Sequence, residues 1–195
     1  MTTAPDGSPV ELYLLLPPGS EAELIHGSID AGAEILELGC GVGRVTHELV
    51  RLGHPVVAVD ESPEMLAHVR GAQTVRSKIE ELELGRRFPC VLLMSNLVNT
   101  GDAQRAGFLA ACARHVASDG FVLIERHEPG WRPEKGVPRR LGDVLVSLED
   151  VRIEPPHVNG TVRYEVGGRT WQHSFEARIL DDAGRWVAAR PILGA

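Results

Sequence analysis

Glu34-Ile-Leu-Glu-Leu-Gly-Cys-Gly-Val-Gly-Arg44 decides the fold, because an apolar run that reads as a buried strand passes straight into a glycine-rich loop. Gly39, Gly41 and Gly43 let the backbone turn tightly and approach a ligand without Cβ interference, and Val42 to Leu52 reads as the helix that follows. Val56-Val-Ala-Val-Asp60 is the next short apolar run and closes on an acid twenty-one residues after Gly39. A carboxylate at a strand end suits ribose hydroxyls. The two elements describe half of a doubly wound sheet that grips an adenosine. Arg44 stands where a dinucleotide fingerprint requires glycine or alanine. Glu37, just before the loop, would repel a pyrophosphate and suits a cationic ligand end. A nicotinamide-binding reductase is therefore the weaker reading.

Outward from this stretch, the order strand, loop, helix, strand, helix continues to Ala67. Ser62 is the expected N-cap of the second helix, with Pro63 at its first position. Val91 to Met94 and Phe121 to Ile124 are continuous apolar runs, as strands buried on both faces require. Between them, Asp102 to Val116 has apolar residues at helical spacing. Upstream, Glu11 to Leu16 reads as a short helix or strand over the sheet edge. Glu21 to Ser28 reads as a helix with Ser20 and Glu23 as a capping box. From Leu141 the period becomes two: Val144, Val146 and Leu148, then Val162, Tyr164 and Val166, then Trp171, His173, Phe175 and Ala177. Gly167-Gly168 and Asn159-Gly160 are turn signals, and Trp186 to Ala189 is expected to add a last strand. The expected fold is α/β, a Rossmann-like, doubly wound, mostly parallel sheet followed by a C-terminal antiparallel meander.

The chain has 195 residues, enough for one well-buried domain. A single domain is expected over 1–195, with an N-terminal segment 1–29, a cofactor-binding core 30–127 and the meander 141–190. Hydrophobic residues make up 43% and charged residues 24%, which fits a globular chain and argues against disorder. A formal net charge of -7 argues against a broad nucleic-acid footprint, although Arg132, Lys135, Arg139 and Arg140 form a local basic run. No apolar stretch approaches bilayer length, and Met1 to Asp6 lacks the charged and apolar regions of a leader. A cytoplasmic chain without membrane or nucleic-acid partners is expected. Cys40, Cys90 and Cys112 have no paired spacing and read as reduced thiols.

The order Glu37, Leu38, Gly39, Cys40, Gly41 resembles the first motif of class I S-adenosylmethionine-dependent methyltransferases. Val59-Asp-Glu-Ser-Pro-Glu-Met-Leu66 resembles the family's second strand end and helix start, and Arg76-Ser-Lys-Ile-Glu-Glu-Leu82 the segment along the adenine. Phe88 to Asn96 resembles its fourth strand, and His115 to Glu125 its fifth. The chain departs from the common pattern at Lys78 and at Phe88-Pro89, where the family often has acids. The resemblance implies S-adenosylmethionine as cofactor, S-adenosylhomocysteine as product and a small-molecule methyl acceptor. It implies that Glu37 meets the methionine end, that Gly39, Cys40, Gly41 and Gly43 form the cofactor loop, and that Asp60 binds ribose. It also implies that Glu61, Met65 and Ile79 lie beside the adenosine, with Asn96 at the fourth strand's end.

Methyl transfer from a sulfonium is an in-line displacement, so near-attack positioning matters most and a general base is optional. Asn96, Asn99, Glu125, Arg126 and His127 lie beyond the fourth and fifth strands, where the transferred methyl would face. His127 is the best candidate for a base because imidazole titrates near neutral pH. Asn99, Arg126, Tyr13 and Trp131 are candidates for the acceptor pocket. His127-Glu128 is followed by Pro-Gly-Trp, so it is not a His-Glu-x-x-His zinc site, and no metal is expected. A Gly-Lys-Ser/Thr loop and a Gly-x-Ser-x-Gly elbow are absent from the sequence. The alternative from another class is a catalytically silent S-adenosylmethionine-binding module that acts through a protein partner. A monomer and a homodimer are both compatible with the exposed edge of a meander.

Overall fold

A computed structural model describes residues 2–128 and 130–180. The chain opens with two short helices, α1 (Val10–Tyr13) and α2 (Glu21–His26). It then alternates β1 (Ile35–Leu38), α3 (Arg44–Arg51), β2 (Val56–Asp60), α4 (Pro63–Leu66), β3 (Gln73–Arg76), β4 (Phe88–Leu93), α5 (Asp102–His115) and β5 (Val116–Ile124). These five strands form one parallel sheet in the order β3-β2-β1-β4-β5. The chain then enters a second, antiparallel sheet of β6 (Arg139–Leu141), β7 (Val144–Glu154), β8 (His157–Val166) and β9 (Arg169–Arg178), paired in chain order. This is the architecture expected from the sequence. The expected strand at Trp186 to Ala189 lies outside the described residues.

The parallel strands read as unbroken apolar runs because helices cover both faces of the sheet. Leu36, Leu38, Val57, Val59, Val91 and Leu93 point to one side and pack with Phe108, Ala111 and Cys112 of α5. Their neighbours Ile35, Val56, Ala58, Cys90 and Leu92 point to the other, against Ala22 and Ile25 of α2 and Val45 and Leu49 of α3. The crossover from β3 to β4 has turns in place of a helix, and its Ile79 and Leu82 fill the α5 side of the core. Cys40, Cys90 and Cys112 are buried free thiols. No helix among the described residues is long and apolar enough to cross a membrane.

The second sheet keeps the expected alternation. Val146 pairs with Tyr164, Leu148 with Val162, Tyr164 with Trp171 and Val162 with His173, so these residues share a face. Val144 and Trp171 are buried on that face against Leu12 of α1. Gly167 and Gly168, both at positive φ, make the β8–β9 turn as expected.

Two local expectations fail. Asn159-Gly160 is not a turn: it lies inside β8, and the β7–β8 reversal falls at Pro155-Pro156. Gly160 is needed there because a Cβ would stand 2.9 Å from the Phe175 ring and 3.2 Å from the Glu149 carbonyl, beside the register shift between Glu149 and Arg152. Ser20 makes no capping bond to α2, since its backbone (φ -87, ψ 4) leaves the extended region that an N-cap occupies. Ser62, in contrast, accepts the Met65 N–H at 3.2 Å as a cap should. Gly160→Ala is expected to destabilise the chain by about 1–3 kcal/mol through overpacking of Phe175, measured by urea denaturation.

Candidate active site

The parallel register aligns Leu38 with Val59 on one side and with Leu93 on the other, and Leu93 with Ile124. Asp60, Gly39, Met94 and Glu125 therefore follow one another along the carboxyl edge of the sheet, where open α/β sheets bind ligands. The Gly39 and Cys40 N–H groups both donate to the Val59 carbonyl, at 2.8 and 2.9 Å. Asp60 Oδ2 accepts the Gly41 N–H at 2.8 Å and Oδ1 accepts the Ser62 N–H at 2.9 Å. Burial is the main influence on the Asp60 carboxyl and raises its pKa, while these N–H groups oppose the rise.

Gly39, Gly41 and Gly43 all adopt positive φ, 75°, 55° and 86°. A Cβ on Gly39 would stand 2.5 Å from Leu97, so that side chain lies directly against the loop. A Cβ on Gly41 would point into open space beside Asp60. Gly43 starts α3, and Arg44 next to it is held by two 3.1 Å bonds to Glu21. The Cys40 thiol is buried, which pushes its pKa up and keeps it protonated.

Glu37 is on the α3 side of β1, 3% exposed, and its Oε2 accepts the Thr46 hydroxyl at 2.5 Å. Burial pushes its pKa up to about 7, against opposing effects of Thr46 and Arg44. Met65 is buried against Val42, Ala4 and Val10, and Ile79 is buried in the α5-side core beside Gly39. Glu61 is half-buried, and its carbonyl accepts from Arg76.

Beyond β4, Ser95 and Asn96 both take φ 56°, and a 3-10 turn (Leu97–Asn99) follows. Asn99 is buried; its Nδ2 donates to the Arg178 carbonyl of β9 at 2.8 Å and its Oδ1 accepts the His127 N–H at 3.0 Å. Its amide is therefore a staple between the second sheet and the loop after β5. His127 stacks on Trp131 with centroids 3.7 Å apart and planes 5° apart, and burial lowers its pKa, which keeps the imidazole neutral at pH 7. Arg126 is half-buried next to it. Tyr13 is at the opposite side of the edge, packed on Ala4, Val10, Val42 and Met65.

The sequence therefore supplied two groups along the carboxyl edge: the loop set around Asp60, with Tyr13 packed on Val42 and Met65, and the β4–β5 set around His127. Thr46, Leu97, Tyr164 and His173 were not anticipated at the site. Only the alternation of the meander bore on the last two. Two surface clefts, of about 210 and 180 Å³, lie near the other ends of the strands, one at Arg86, Arg87 and Arg114 and one at Asp30, Pro89 and Asp119. Among the described residues no group of three His, Cys, Asp or Glu side chains is set to hold a metal.

Glu37 binds its proton more tightly in the folded chain than at its ordinary value of 4.5. Its contribution to stability is full below that value and is lost as pH rises through about 7. Glu37→Gln is expected to flatten the fall in stability between about pH 5 and about pH 8, by on the order of 3 kcal/mol at most, read from urea midpoints.

Residues 35–120 match the family model described as a methyltransferase domain. An uncharacterized methyltransferase of Mycobacterium bovis is 37% identical over 137 residues, 67% of this chain and 56% of the relative. A ubiquinone biosynthesis O-methyltransferase of Bradyrhizobium sp. is 28% identical over 110 residues, 52% of this chain and 43% of the relative. The chain thus spans about half the length of the curated relatives it matches. Among solved structures, the CcbJ methyltransferase of Streptomyces caelestis superposes with a TM-score of 0.69 at 22% identity, covering 85% of this chain and 74% of that one. A methyltransferase of Clostridium acetobutylicum does so with 0.67 at 15% identity, covering 88% and 78%. These likenesses carry the fold. Residues 35–120 are thus similar to a methyltransferase domain, on a fold shared with these solved methyltransferases.

Proposed function

We propose that the chain is an enzyme that binds S-adenosylmethionine and transfers its methyl group to a small-molecule acceptor, leaving S-adenosylhomocysteine. The observation that carries this reading is the open face of Gly41 beside the Asp60 carboxylate at the carboxyl edge of the sheet. Such an edge takes an adenosine with its ribose on the acid. Each Asp60 oxygen keeps acceptor capacity beyond its one backbone bond, so it can also receive ribose hydroxyls. S-adenosylmethionine, when bound, supplies a methyl group on a sulfonium sulfur.

The chain's own residues then divide the work. Gly39, Cys40, Gly41 and Gly43 offer a bare backbone, and Glu61, Met65 and Ile79 flank the adenosine. Glu37, held by Thr46, stands behind the loop on the side of the cationic methionyl end, whose charge would favour the ionised carboxylate. Asn96 approaches from β4. At the acceptor, neutral His127 takes a proton where the nucleophile must lose one, and Trp131 and the Asn99 staple fix its ring and backbone. Tyr13 and Arg126 line the acceptor side. The Bradyrhizobium relative, a ubiquinone biosynthesis O-methyltransferase, supports a small-molecule acceptor. The net charge of -7 supports an acceptor other than nucleic acid.

Calorimetric titration of the purified chain with S-adenosylmethionine, S-adenosylhomocysteine and NADH tests the reading. The first two are expected to bind and NADH to give no heat. Asp60→Ala should weaken the adenosyl ligands by roughly tenfold or more, as loss of a charged hydrogen-bond acceptor does. Absence of binding by both adenosyl ligands would sink the proposal.

A further inference from the structure

The inward face of the second sheet carries polar groups that its packing does not use. The Tyr164 and His173 rings lie parallel, with planes 6° apart and centroids 6.2 Å apart. His173 Nδ1 is shielded from solvent and has no hydrogen-bond partner. Burial lowers the His173 pKa, so the ring is neutral at pH 7, and in the tautomer with its proton on Nε2 the unpartnered Nδ1 is an acceptor. A buried acceptor left unmade is costly unless something that visits the site completes it.

Helix α1 brings this face to the glycine loop. Its Leu12 packs with Val144, Trp171 and Tyr164, and the next residue, Tyr13, packs on Val42 and Met65. Tyr13 lies close enough to Tyr164 to raise the pKa of that phenol further. Tyr13 Oη is 3.4 Å from Ser8 Oγ, and the Ser8 hydroxyl donates to Asp6 Oδ2 at 2.8 Å. The Asp6 carboxylate is exposed, and its charge acts on His173, Tyr13 and Asp60 together. The charge of Arg44 also acts on Tyr13, and Glu21 engages that guanidinium. The contact region between loop and sheet thus brings together the charges of Asp6 and Asp60, two phenol rings and an imidazole nitrogen without a hydrogen-bond partner.

We propose that Asp6, Tyr13, Tyr164 and His173 form the acceptor subsite, and that it takes an aliphatic amine in its protonated form. The inference rests on the methyl-transfer reading and names the acceptor class for it. The ammonium N–H donates to His173 Nδ1, Asp6 at the rim supplies the countercharge, and the tyrosine faces accommodate the cation. An acceptor bearing a carboxylate or a phosphate would meet repulsion from Asp6 and Asp60. His173 is a binding residue in this scheme, and proton removal stays with His127.

The test uses the full chain labelled with 15N-histidine, with the His173 ring signals assigned by their loss in His173→Gln. Cyclohexylamine and cyclohexanol, matched in shape, are titrated at neutral pH. The amine is expected to move the His173 signals saturably, with at least tenfold weaker binding of the alcohol. Asp6→Asn, which removes the charge and keeps an oxygen for the Ser8 bonds, should weaken the amine severalfold, and it carries the test if His173→Gln fails to fold. Equal response to both probes, or unmoved His173 signals, overturns the subsite. S-adenosylhomocysteine is titrated into the same sample to separate the two readings. Its binding without a His173 response to amine overturns the subsite alone. A His173 response without its binding upholds the amine site and overturns methyl transfer.

Discussion

The Asp60 carboxylate is the tie on which the carboxyl edge of the sheet depends. One oxygen holds the N–H of Gly41 in the loop after β1, and the other holds the N–H of Ser62 at the start of α4. The loop is also bound to β2 through the Val59 carbonyl, so two adjacent strand ends act as one rigid unit. Once that unit is set, α3 must leave from Gly43 and α4 from Ser62. Val42 and Met65 are thereby brought together as the floor on which the N-terminal segment rests. A negative group is used because its acceptors can be shared: it organises the backbone and retains capacity for a ligand.

Glu37 shows the opposite economy. It faces α3 among the apolar side chains of Ile35 and Val45, and among the described residues its hydrogen-bond partner is Thr46. Burying an acid there has an electrostatic cost that a core residue of the same strand would not carry. That cost is characteristic of positions kept for a ligand more than for packing. On the far side of the edge, Asn99 solves a different problem. The two sheets share no strand, and its amide ties the β9 carbonyl of Arg178 to the backbone of His127. Arg178 adds an ion pair to Asp102 at the start of α5.

Much of this was legible in the sequence where one local rule dominates. β1, β2 and β4 announce themselves because burial on both faces leaves unbroken apolar runs. The glycine loop and Asp60 follow from backbone sterics and strand-end position. The alternation of the meander placed Tyr164, Trp171 and His173 on one face correctly, but period two does not say what that face meets. Asn159-Gly160 misled because its turn signal is local, whereas the bulge at Glu149 and the Phe175 ring that demand a glycine lie on neighbouring strands. The Ser20 capping pattern failed because the Ser20 backbone, at φ -87 and ψ 4, leaves the extended region that an N-cap occupies. Thr46 as the partner of Glu37 had no signal, since only the docking of α3 onto β1 brings them together.

The position of α1 has a consequence for the order in which the molecule can be completed. Val10 and Tyr13 rest on the glycine loop, yet Leu12 rests on Trp171, and Glu11 pairs with Arg169, 158 residues later in the chain. During synthesis from the amino end, the parallel sheet has all its strands long before β9 exists. The first helix must therefore wait for nearly the whole described chain before its second seat is available. Closing so long a loop is entropically expensive and slow relative to the local β-α pairings. The loop around Gly41 is thus built early and covered last, which leaves it open to solvent through most of the chain's assembly.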